Sequence, residues 1–396
     1  MNRKQRRAQG QEQRQGQRRG QRKAGRPAPA PDPARLHDAG IEAYRAGRLV
    51  EAADLIGQAI KAHGRMPEFH YNLAIVLKAM GRLKDAAAAY ERAIALKPDH
   101  VNAHNNLGNV WKALGQTDKA RASFAQALTY NPDNTDTHYS LGVLCGELGA
   151  RDEAARHLRR CLAGDPQDSR GAAILLAHLG MGVAPDRTPE AQVLSLYDVR
   201  ARFWDREPSY FAPRLVADGL RRHAPHAGMD ILDIGCGTGL VGASVRDLAR
   251  RLDGVDISPA MLEKAEAKGV YDGLFQADLT SFMAGRADGY DAVLGAAALI
   301  HVGDLRALFQ AAALCLRPAG LFVSTLFPHD DGAGTDYAVA ASTRLAQSGC
   351  FRHSPVYLRR LAAQTGFSVA ELEETVHEHD QAGSPVTGLL AVLRKN

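Results

Sequence analysis

Small and apolar residues recur at a fixed spacing along the first half of the chain, from about Pro33 to Pro166. Each copy has a glycine, an alanine and a bulky apolar residue in that order, and most copies end at a proline. Because glycine closes helices and proline cannot continue them, each copy predicts two packed helices. Four copies predict a stack of helical pairs, closed by a solvent-capping helix at 169–180. The recurring positions are Gly47, Gly81, Gly115 and Gly149; Ala52, Ala86, Ala120 and Ala154; Ile56, Tyr90, Phe124 and Leu158; and Pro98, Pro132 and Pro166.

The second half of the chain has a different pattern. From Val193 the repeat is lost, and short apolar runs alternate with helical stretches. This alternation predicts an α/β domain with a parallel sheet. The apolar run Met229–Ile234 predicts a strand that enters a glycine-rich turn at 235–239. A helix is then predicted over 240–252, followed by a strand that ends at Asp256.

The length and composition agree with a chain that folds in more than one unit. The 396 residues exceed one ordinary domain, and 45% apolar and 23% charged residues match soluble globular proteins. The patterns divide the chain into a basic tail at 1–32, helical repeats at 33–180, a linker at 181–194 and an α/β domain at 195–396.

The positive charge of the chain is concentrated in its tail. The net charge is +5, yet residues 1–33 alone hold ten Lys and Arg against Glu12 and Asp32. The remainder of the chain is therefore slightly acidic. The tail has almost no large apolar side chain, so we predict that it is disordered. We interpret it as a solubilising leader, with contact to nucleic-acid phosphates as the alternative.

Cysteine usage and hydropathy indicate a cytoplasmic protein. The five cysteines form no CxxC pair, and no apolar run reaches the length of a membrane span. The N-terminus is polar and lacks the apolar core of a secretion signal. No membrane contact is expected, and no metal is predicted because carboxylates and imidazoles do not cluster near the loops.

The glycine-rich turn and the acid after it predict a site for a nucleoside-bearing cofactor. Gly235, Gly237 and Gly239 alternate, which lets the backbone turn tightly and approach a ligand. Asp256 follows at the end of the next strand, where a carboxylate can accept both hydroxyls of a ribose. The residues at 237–242 also satisfy the dinucleotide fingerprint, so the glycines alone do not choose the cofactor.

Three further features favour S-adenosylmethionine over a dinucleotide. Asp233 precedes the first glycine, where a carboxylate suits the ammonium of a methionine moiety and would repel a pyrophosphate. The residues after Asp256, including Ile257 and Met261, give an apolar wall for one face of adenine. Asp278 follows the third predicted strand and could accept a hydrogen bond from the adenine amino group.

The residues at 233–239, Asp-Ile-Gly-Cys-Gly-Thr-Gly, resemble the first motif of class I S-adenosylmethionine-dependent methyltransferases, and 254–258 resembles the acidic ribose loop of that family. The resemblance implies a Rossmann-like domain with a mostly parallel seven-stranded sheet. A C-terminal antiparallel hairpin at 367–375 and 385–393 would complete it. The expected cofactor-binding residues are Asp233, Gly235, Cys236, Gly237, Gly239, Asp256, Ile257, Met261, Asp278, Leu279 and Ala296.

The repeated half resembles the tetratricopeptide repeat, which implies an N-terminal α-solenoid that binds an unidentified protein or peptide on its concave face. Polar residues expected on that face could bond an extended peptide backbone, although they could equally be solvated. His70, His104 and His138 share one position of the repeat, which spaces them too far apart for a common metal. We expect them to pack or to cap. The expected concave-face residues are Tyr71, Asn72, Lys78, Asn105, Asn106, Asn109 and Lys112.

The fusion of these two parts resembles a group of bacterial proteins described as tetratricopeptide-repeat-containing predicted methyltransferases. Our hypothesis is transfer of a methyl group to an unidentified acceptor, with the repeats recruiting a protein. His301, after the fourth predicted strand, and His353 with Tyr337 are the catalytic candidates. The chain departs from the group at Ala297 and Arg200. The alternative is therefore a binding scaffold with a catalytically degenerate methyltransferase-like domain.

Overall fold

The computed structural model describes residues 32–201, 204–206, 209–224, 226–330, 334–380 and 382–396. The prediction of a disordered tail at 1–32 therefore lies outside the described residues, except for Asp32. That carboxylate accepts a hydrogen bond from the amide of Ala34 and caps the first helix.

Eight helices pair two by two through the repeats. Gly47, Gly81, Gly115 and Gly149 follow the first helix of each pair with φ of 71° to 76°, a conformation that favours glycine. The alanines and bulky residues of the repeat are fully buried. The helices are α1 Pro33–Arg45, α2 Leu49–Ala62, α3 Pro67–Ala79, α4 Leu83–Leu96, α5 Val101–Ala113, α6 Thr117–Tyr130, α7 Thr135–Glu147 and α8 Arg151–Gly164.

The repeated histidines join each pair of helices to the pair before it. Nε2 of His70, His104 and His138 lies 2.8 to 3.0 Å from a carbonyl oxygen six residues earlier, which belongs to Gly64, Pro98 and Pro132 respectively. A carbonyl can only accept, so each imidazole donates this bond. The structure confirms a packing role for the three histidines.

The helix that closes the stack is not exposed to solvent as the sequence suggested. This helix, α9, spans Ala172–His178. Its buried Ile174 and Leu175 share one apolar cluster with Val339 and Phe351 of the second half. The α/β domain therefore covers the apolar face of α9, and the end of the stack is a docking surface within the chain.

Seven strands form one sheet in the order β3-β2-β1-β4-β5-β9-β8. The first five strands are parallel, and β9 lies antiparallel between β5 and β8. This arrangement confirms the predicted parallel sheet and its C-terminal hairpin. The strands are β1 Met229–Ile234, β2 Ala249–Asp256, β3 Gly273–Gln276, β4 Tyr290–Gly295, β5 Leu316–Leu326, β8 Phe367–His379 and β9 Pro385–Lys395. A separate pair, β6 Tyr337–Val339 and β7 Phe351–His353, lies between β5 and β8 in the chain.

Helices cover both faces of the sheet, and apolar clusters lie on its two sides. The helix predicted over 240–252 is shorter than expected. It ends at Val245, and a 3₁₀ turn leads into β2 at Ala249, because Leu252 pairs with Ile231 of β1 and is buried. The helices are α10 Glu190–Arg200, α11 Ala212–His223, α12 Leu240–Val245, α13 Pro259–Lys268, α14 Leu279–Ala284, α15 Arg306–Cys315, α16 Thr343–Gln347 and α17 Pro355–Gln364. No helix in the described ranges combines the length and apolarity needed to cross a membrane.

Candidate active site

The glycine-rich turn lies between β1 and α12. Gly235, Gly237 and Gly239 have φ values of 64°, 54° and 88°. A Cβ atom at Gly235 would come within 2.7 Å of the Cβ of Ala298, so this position has room only for glycine. The amides of Gly235 and Cys236 donate to the carbonyl of Val255 at 2.8 and 3.1 Å. The turn is therefore held against the end of β2.

Asp256 ends β2 directly beside this turn. Its Oδ2 accepts a hydrogen bond of 2.9 Å from the amide of Gly237, and its Oδ1 accepts one of 2.9 Å from the amide of Ser258. Burial raises the pKa of this carboxyl, and the two amide bonds act in the opposite direction. Asp256 is thus oriented by backbone donors at the edge of a cleft, where its oxygens can accept further hydrogen bonds.

This cleft, which we call the main cleft, opens at the carboxyl ends of β1, β2 and β4. Its empty volume is about 950 Å³, including space open to solvent. Nine of the eleven expected cofactor-binding residues line it. These nine are Gly235, Cys236, Gly237, Asp256, Ile257, Met261, Asp278, Leu279 and Ala296. Sequence reasoning missed that residues of the linker, including Arg187 and Thr188, also line it.

Asp233 is fully buried and does not line the main cleft. Its Oδ2 accepts a hydrogen bond of 2.6 Å from the hydroxyl of Tyr271, and its Oδ1 has no partner among the described residues. Burial raises the pKa of this carboxyl to about 7. Asp233 is not among the residues that line the main cleft, so its expected contact with an ammonium group stays a prediction.

Tyr271 is a residue whose importance the sequence did not reveal. A Cβ atom at Gly242 would lie 2.4 Å from its hydroxyl oxygen, and one at Gly254 would lie 3.0 Å from its ring. These two glycines make room for the ring. The only signal in the sequence was Gly242, which could be assigned to the dinucleotide fingerprint instead.

Asp278 stands at the start of α14 and accepts hydrogen bonds on both oxygens, including one from the hydroxyl of Ser281. Its Oδ1 accepts from the amide of Ser281 at 3.0 Å, and its Oδ2 accepts from the guanidinium of Arg187 at 2.8 Å. Burial raises the pKa of this carboxyl, but these bonds outweigh burial and lower it overall. Asp278 is an ionised cap that also lines the main cleft.

His301 lines the main cleft, and its two ring nitrogens are engaged. Nδ1 lies 3.2 Å from the carbonyl oxygen of Gly349, so Nδ1 carries a proton. Burial lowers the pKa of His301 to about 4, so the ring is neutral and Nε2 is an acceptor. The hydroxyl of Tyr197 donates to Nε2 over 2.7 Å.

The other two catalytic candidates, His353 and Tyr337, are not among the residues that line the main cleft. His353 is fully buried, and its Nε2 donates to the carbonyls of Val302 and Gly303 at 2.8 and 3.1 Å. Tyr337 lies on β6 and donates to Asp186 at 3.1 Å. Both residues fix the segment that packs around His301 and do not reach the main cleft.

A second cavity, which we call the side chamber, adjoins the main cleft. Its empty volume is about 1230 Å³, again including open solvent. Tyr197, Trp204, Tyr210, Ala297 and His301 line both cavities, so the two share a wall. Ala297 adopts a φ of 55°, and its amide donates to Oγ1 of Thr325 at 3.0 Å.

Most of the polar residues expected on the concave face of the repeats bond to a neighbouring repeat. Asn106 donates to the hydroxyl of Tyr71 at 3.1 Å, and Asn109 donates to Ser140 at 3.3 Å. Asn72 contacts His37, and Lys112 pairs with Glu147. By contrast, Oδ1 of Asn105 is buried without a partner among the described residues, and burial lowers the pKa of Lys78.

A parallel sheet with a glycine-rich turn after β1 and an acid after β2 defines a Rossmann-like nucleoside-binding domain. Residues 205–372 match the family model described as a methyltransferase domain. Residues 76–115 and 112–179 match models described as TPR repeat and tetratricopeptide repeat. The chain therefore combines tetratricopeptide repeats with a methyltransferase domain.

Curated relatives match part of the chain. It is 45% identical over 91 residues to methyltransferase-like protein 27 of Homo sapiens, covering 21% of this chain and 37% of the relative. It is 30% identical over 135 residues to the ubiquinone biosynthesis O-methyltransferase of Xanthomonas axonopodis pv. citri (strain 306), covering 32% and 56%. The chain thus spans less than two thirds of the length of either relative.

Solved structures also resemble parts of the chain. The Burkholderia thailandensis 1,6-didemethyltoxoflavin-N1-methyltransferase, with bound 1,6-didemethyltoxoflavin and S-adenosylhomocysteine, is 20% identical with a TM-score of 0.42. That match covers 52% of this chain and 87% of the other. MamA is 23% identical with a TM-score of 0.33, covering 35% and 80%.

Proposed function

We propose that the protein is an S-adenosylmethionine-dependent methyltransferase that holds this cofactor in the main cleft. The observation that carries the proposal is the pairing of a positive-φ glycine turn with Asp256, which is oriented by the amides of Gly237 and Ser258. The match of residues 205–372 to a methyltransferase domain supports the same conclusion.

The residues around the main cleft fit this cofactor. Asp256 would accept the ribose hydroxyls, and Ile257 and Met261 would pack against adenine. Asp278 and Leu279 would contact the edge of adenine, since both lie at the start of α14. The backbone of the glycine-rich turn would lie against the methionine moiety, because Gly235 and Gly237 line the main cleft without side chains.

Asp233 would act through the turn. Its Oδ1 has no hydrogen-bond partner among the described residues, and a buried carboxylate is stable only when it is protonated or lies near a positive charge. A cationic ligand above the turn would therefore favour the ionised form of Asp233.

Bound in the main cleft, S-adenosylmethionine supplies a methyl group that is already activated as part of a sulfonium. The task of the protein is then to align an acceptor and exclude water. The wall shared by the two cavities suits this task, because Tyr197, Trp204 and Tyr210 form it. We assign the side chamber to the acceptor.

Tyr197 and His301 would receive the proton of the acceptor. The hydroxyl of Tyr197 already donates to the unprotonated Nε2 of His301. When Oη of Tyr197 takes up a proton from the acceptor, Tyr197 can pass its own hydroxyl proton to Nε2 of His301, and Tyr197 is neutral again. Gly349 holds Nδ1–H of His301 in place throughout. Tyr197 would be the catalytic residue at the acceptor, and His301 would act through it.

The tetratricopeptide repeats would recruit a protein that carries or delivers the acceptor. Asn105 supports this role, because its side-chain oxygen is buried without a partner while the neighbouring amides are satisfied. An extended peptide that displaces the groups covering this oxygen could donate a backbone hydrogen bond to it.

Titration calorimetry with S-adenosylmethionine tests the proposal. We expect micromolar binding by the full chain and a loss of about tenfold or more in Asp256→Ala, because a charged acceptor of two hydroxyls is removed. Asp272→Ala is the matched control. Its carboxylate pairs with Arg246 on the surface, so affinity should stay unchanged. Absence of binding by the full chain would instead favour a scaffold with a degenerate methyltransferase-like domain.

A labelled cofactor tests the recruitment role. After incubation with a cell lysate, label should enter a protein or a molecule bound to one. Asn105→Ala should lower this transfer without changing the affinity for S-adenosylmethionine. Equal transfer of label by the wild type and by Asn105→Ala would contradict a role for the repeats.

A further inference from the structure

The side chamber has an aromatic wall. The rings of Tyr197 and Trp204 lie 5.8 Å apart, and those of Trp204 and Tyr210 lie 5.2 Å apart. The wall continues through His377, whose ring is 5.7 Å from Tyr210 and 4.9 Å from Phe327. The planes of these four ring pairs are inclined to each other by 60° to 74°. A flat ring would find stacking and edge contacts here.

Arg200 places a positive charge against this wall. Its Cζ lies 6.0 Å from the ring centre of Tyr197 and 5.9 Å from that of Trp204. Its one hydrogen bond in the described part of the chain goes to Oγ of Ser348, at 2.9 Å. A guanidinium has five N–H donors. Beyond Ser348, no hydrogen-bond partner of Arg200 is found among the described residues.

The other charges of the side chamber are already matched. Arg344 pairs with Glu378 at 2.9 Å. Asp380 accepts from the amides of Ala382 and Ser384 at 2.9 Å in its own turn. No carboxylate among the described residues pairs with Arg200. Among the described residues, the chamber thus has an aromatic lining and one arginine that pairs with no carboxylate.

His377 is a second, independent sign that the chamber is a site for a polar ligand. The residue is 99% buried, and its side chain lines the chamber. Nε2 lies 3.3 Å from Oγ1 of Thr325, whereas Nδ1 has no hydrogen-bond partner among the described residues. The nearest carboxylate oxygen, from Glu378, is 3.9 Å away, which is too far for a hydrogen bond. Burial lowers the pKa of His377 to about 4, so the ring is neutral. Its Nδ1 can form a hydrogen bond with a polar group.

We propose that the acceptor is a planar aromatic molecule that carries an anionic group, which Arg200 binds while the rings of Tyr197, Trp204 and Tyr210 hold its flat part. His377 bonds a polar substituent of the same molecule through Nδ1. The inference rests on the proposed function for the reaction itself. It makes Arg200 the residue that determines acceptor specificity.

Matched pairs of small molecules test this inference. The probes are 3,4-dihydroxybenzoate and 3-hydroxy-2-naphthoate, each compared with its uncharged carboxamide. Calorimetry with the full chain, with and without saturating S-adenosylhomocysteine, should give the acid of at least one pair about tenfold or more higher affinity than its amide, as expected for a charge-assisted bond. Equal affinities in both pairs, or no binding by any of the four, would overturn the inference.

Two variants identify the cation. Arg200→Gln should reduce the preference for the acid to about one while the amide binds as before, because stacking is retained. Arg344 lines the same chamber, but Glu378 already neutralises its charge. The preference for the acid should therefore persist in Arg344→Gln. A preference that survives in Arg200→Gln and disappears in Arg344→Gln would assign the anion to Arg344 and overturn the role of Arg200.

The measurement separates this inference from the proposed function. Acid preference does not require bound cofactor, and cofactor affinity is measured on its own. A chain that fails to bind S-adenosylmethionine yet prefers the acid would overturn the proposed function and support the anionic site. A chain that binds the cofactor and shows no preference for either acid would overturn the anionic site alone.

Discussion

Arg187 donates a hydrogen bond of 2.8 Å to Oδ2 of Asp278, and this ion pair connects the segment after the repeats to the wall of the main cleft. Thr188 and Glu190 of the same segment also line the cleft. The segment expected to be a linker is therefore part of the site. Together with the docking of α9 against β6 and β7, this pair connects the repeats structurally to the methyltransferase domain.

The first prediction concerns this ion pair. Arg187→Gln should weaken the binding of S-adenosylmethionine by about two- to fivefold, the size expected for a partly exposed pair, because Asp278 loses the group that orients it. Arg306→Gln removes a comparable pair with Asp304 outside the cleft and should leave the affinity unchanged. Calorimetry at low and high salt checks both, and the effect of Arg187→Gln should shrink as salt screens the pair. Equal affinities of the wild type and Arg187→Gln at low salt would show that the pair does not contribute to binding.

The second prediction separates two histidines that the sequence could not distinguish. His301→Gln should lower the rate of S-adenosylhomocysteine formation in a lysate that contains the acceptor by about 100-fold, with the affinity for S-adenosylmethionine unchanged. Tyr197→Phe should have an effect in the same direction. The reason is that both remove the path by which a proton leaves the acceptor.

His353→Gln is the matched control for that prediction. It should leave the rate per folded molecule unchanged and lower the free energy of unfolding by about 1 to 3 kcal/mol, because the flexible amide of glutamine does not hold an N–H where Nε2 of His353 bonds the buried carbonyls of Val302 and Gly303. The wild type should also lose stability as the pH falls from about 6.5 to 4, since burial lowers the pKa of His353 to about 4. A rate that falls in His353→Gln as far as in His301→Gln would contradict the assignment.

What the sequence could predict here depended on how local each constraint is. Gly235 and Gly237 were identifiable because a positive φ is a property of one residue and its neighbours. Asp256 follows from the same logic, since the end of a strand fixes its distance from the turn. The repeated glycines and alanines were equally visible, because each copy repeats the same local packing.

The remaining features depend on contacts between distant parts of the chain. The burial of Asp233 depends on Tyr271, 38 residues later, which fits between two glycines. The separation of His301 from His353 depends on how β7 packs beneath the loop after β4, where two backbone carbonyls bind His353. No periodicity or motif encodes such contacts, so a residue type alone could not decide between a catalytic and a structural role.

The third prediction concerns the buried carboxyl of Asp233. Its pKa is raised to about 7, so the folded protein retains a proton that the unfolded chain releases above about pH 4. The free energy of unfolding of the wild type therefore falls by up to about 1.4 kcal/mol per pH unit between about pH 4 and 7 because of this group. Above that interval the group causes no further loss. Asp233→Asn does not titrate. The unfolding free energy of the variant minus that of the wild type should rise with pH over this interval and then level off.

Urea unfolding without ligand at several pH values measures this difference. Subtracting the unfolding free energy of the wild type from that of the variant removes the opposing contribution of the buried histidines, which both proteins share. A difference that stays flat from pH 5 to 8 would mean that Asp233 is ionised throughout and has a positive partner.

The last prediction tests the packing of the repeats with two glycines that differ only in their surroundings. A Cβ atom at Gly108 would lie 2.5 Å from the ring of the buried Phe124, whereas one at Gly57 would meet nothing within 4 Å. Gly108→Ala should therefore lower the unfolding free energy by about 1 to 3 kcal/mol through overpacking. Gly57→Ala, inside α2, should raise it by about 0.5 to 1 kcal/mol, because alanine favours the helix. Urea unfolding followed by far-ultraviolet circular dichroism should give shifts of opposite sign, and shifts of the same sign would show that Phe124 does not occupy the space beside Gly108.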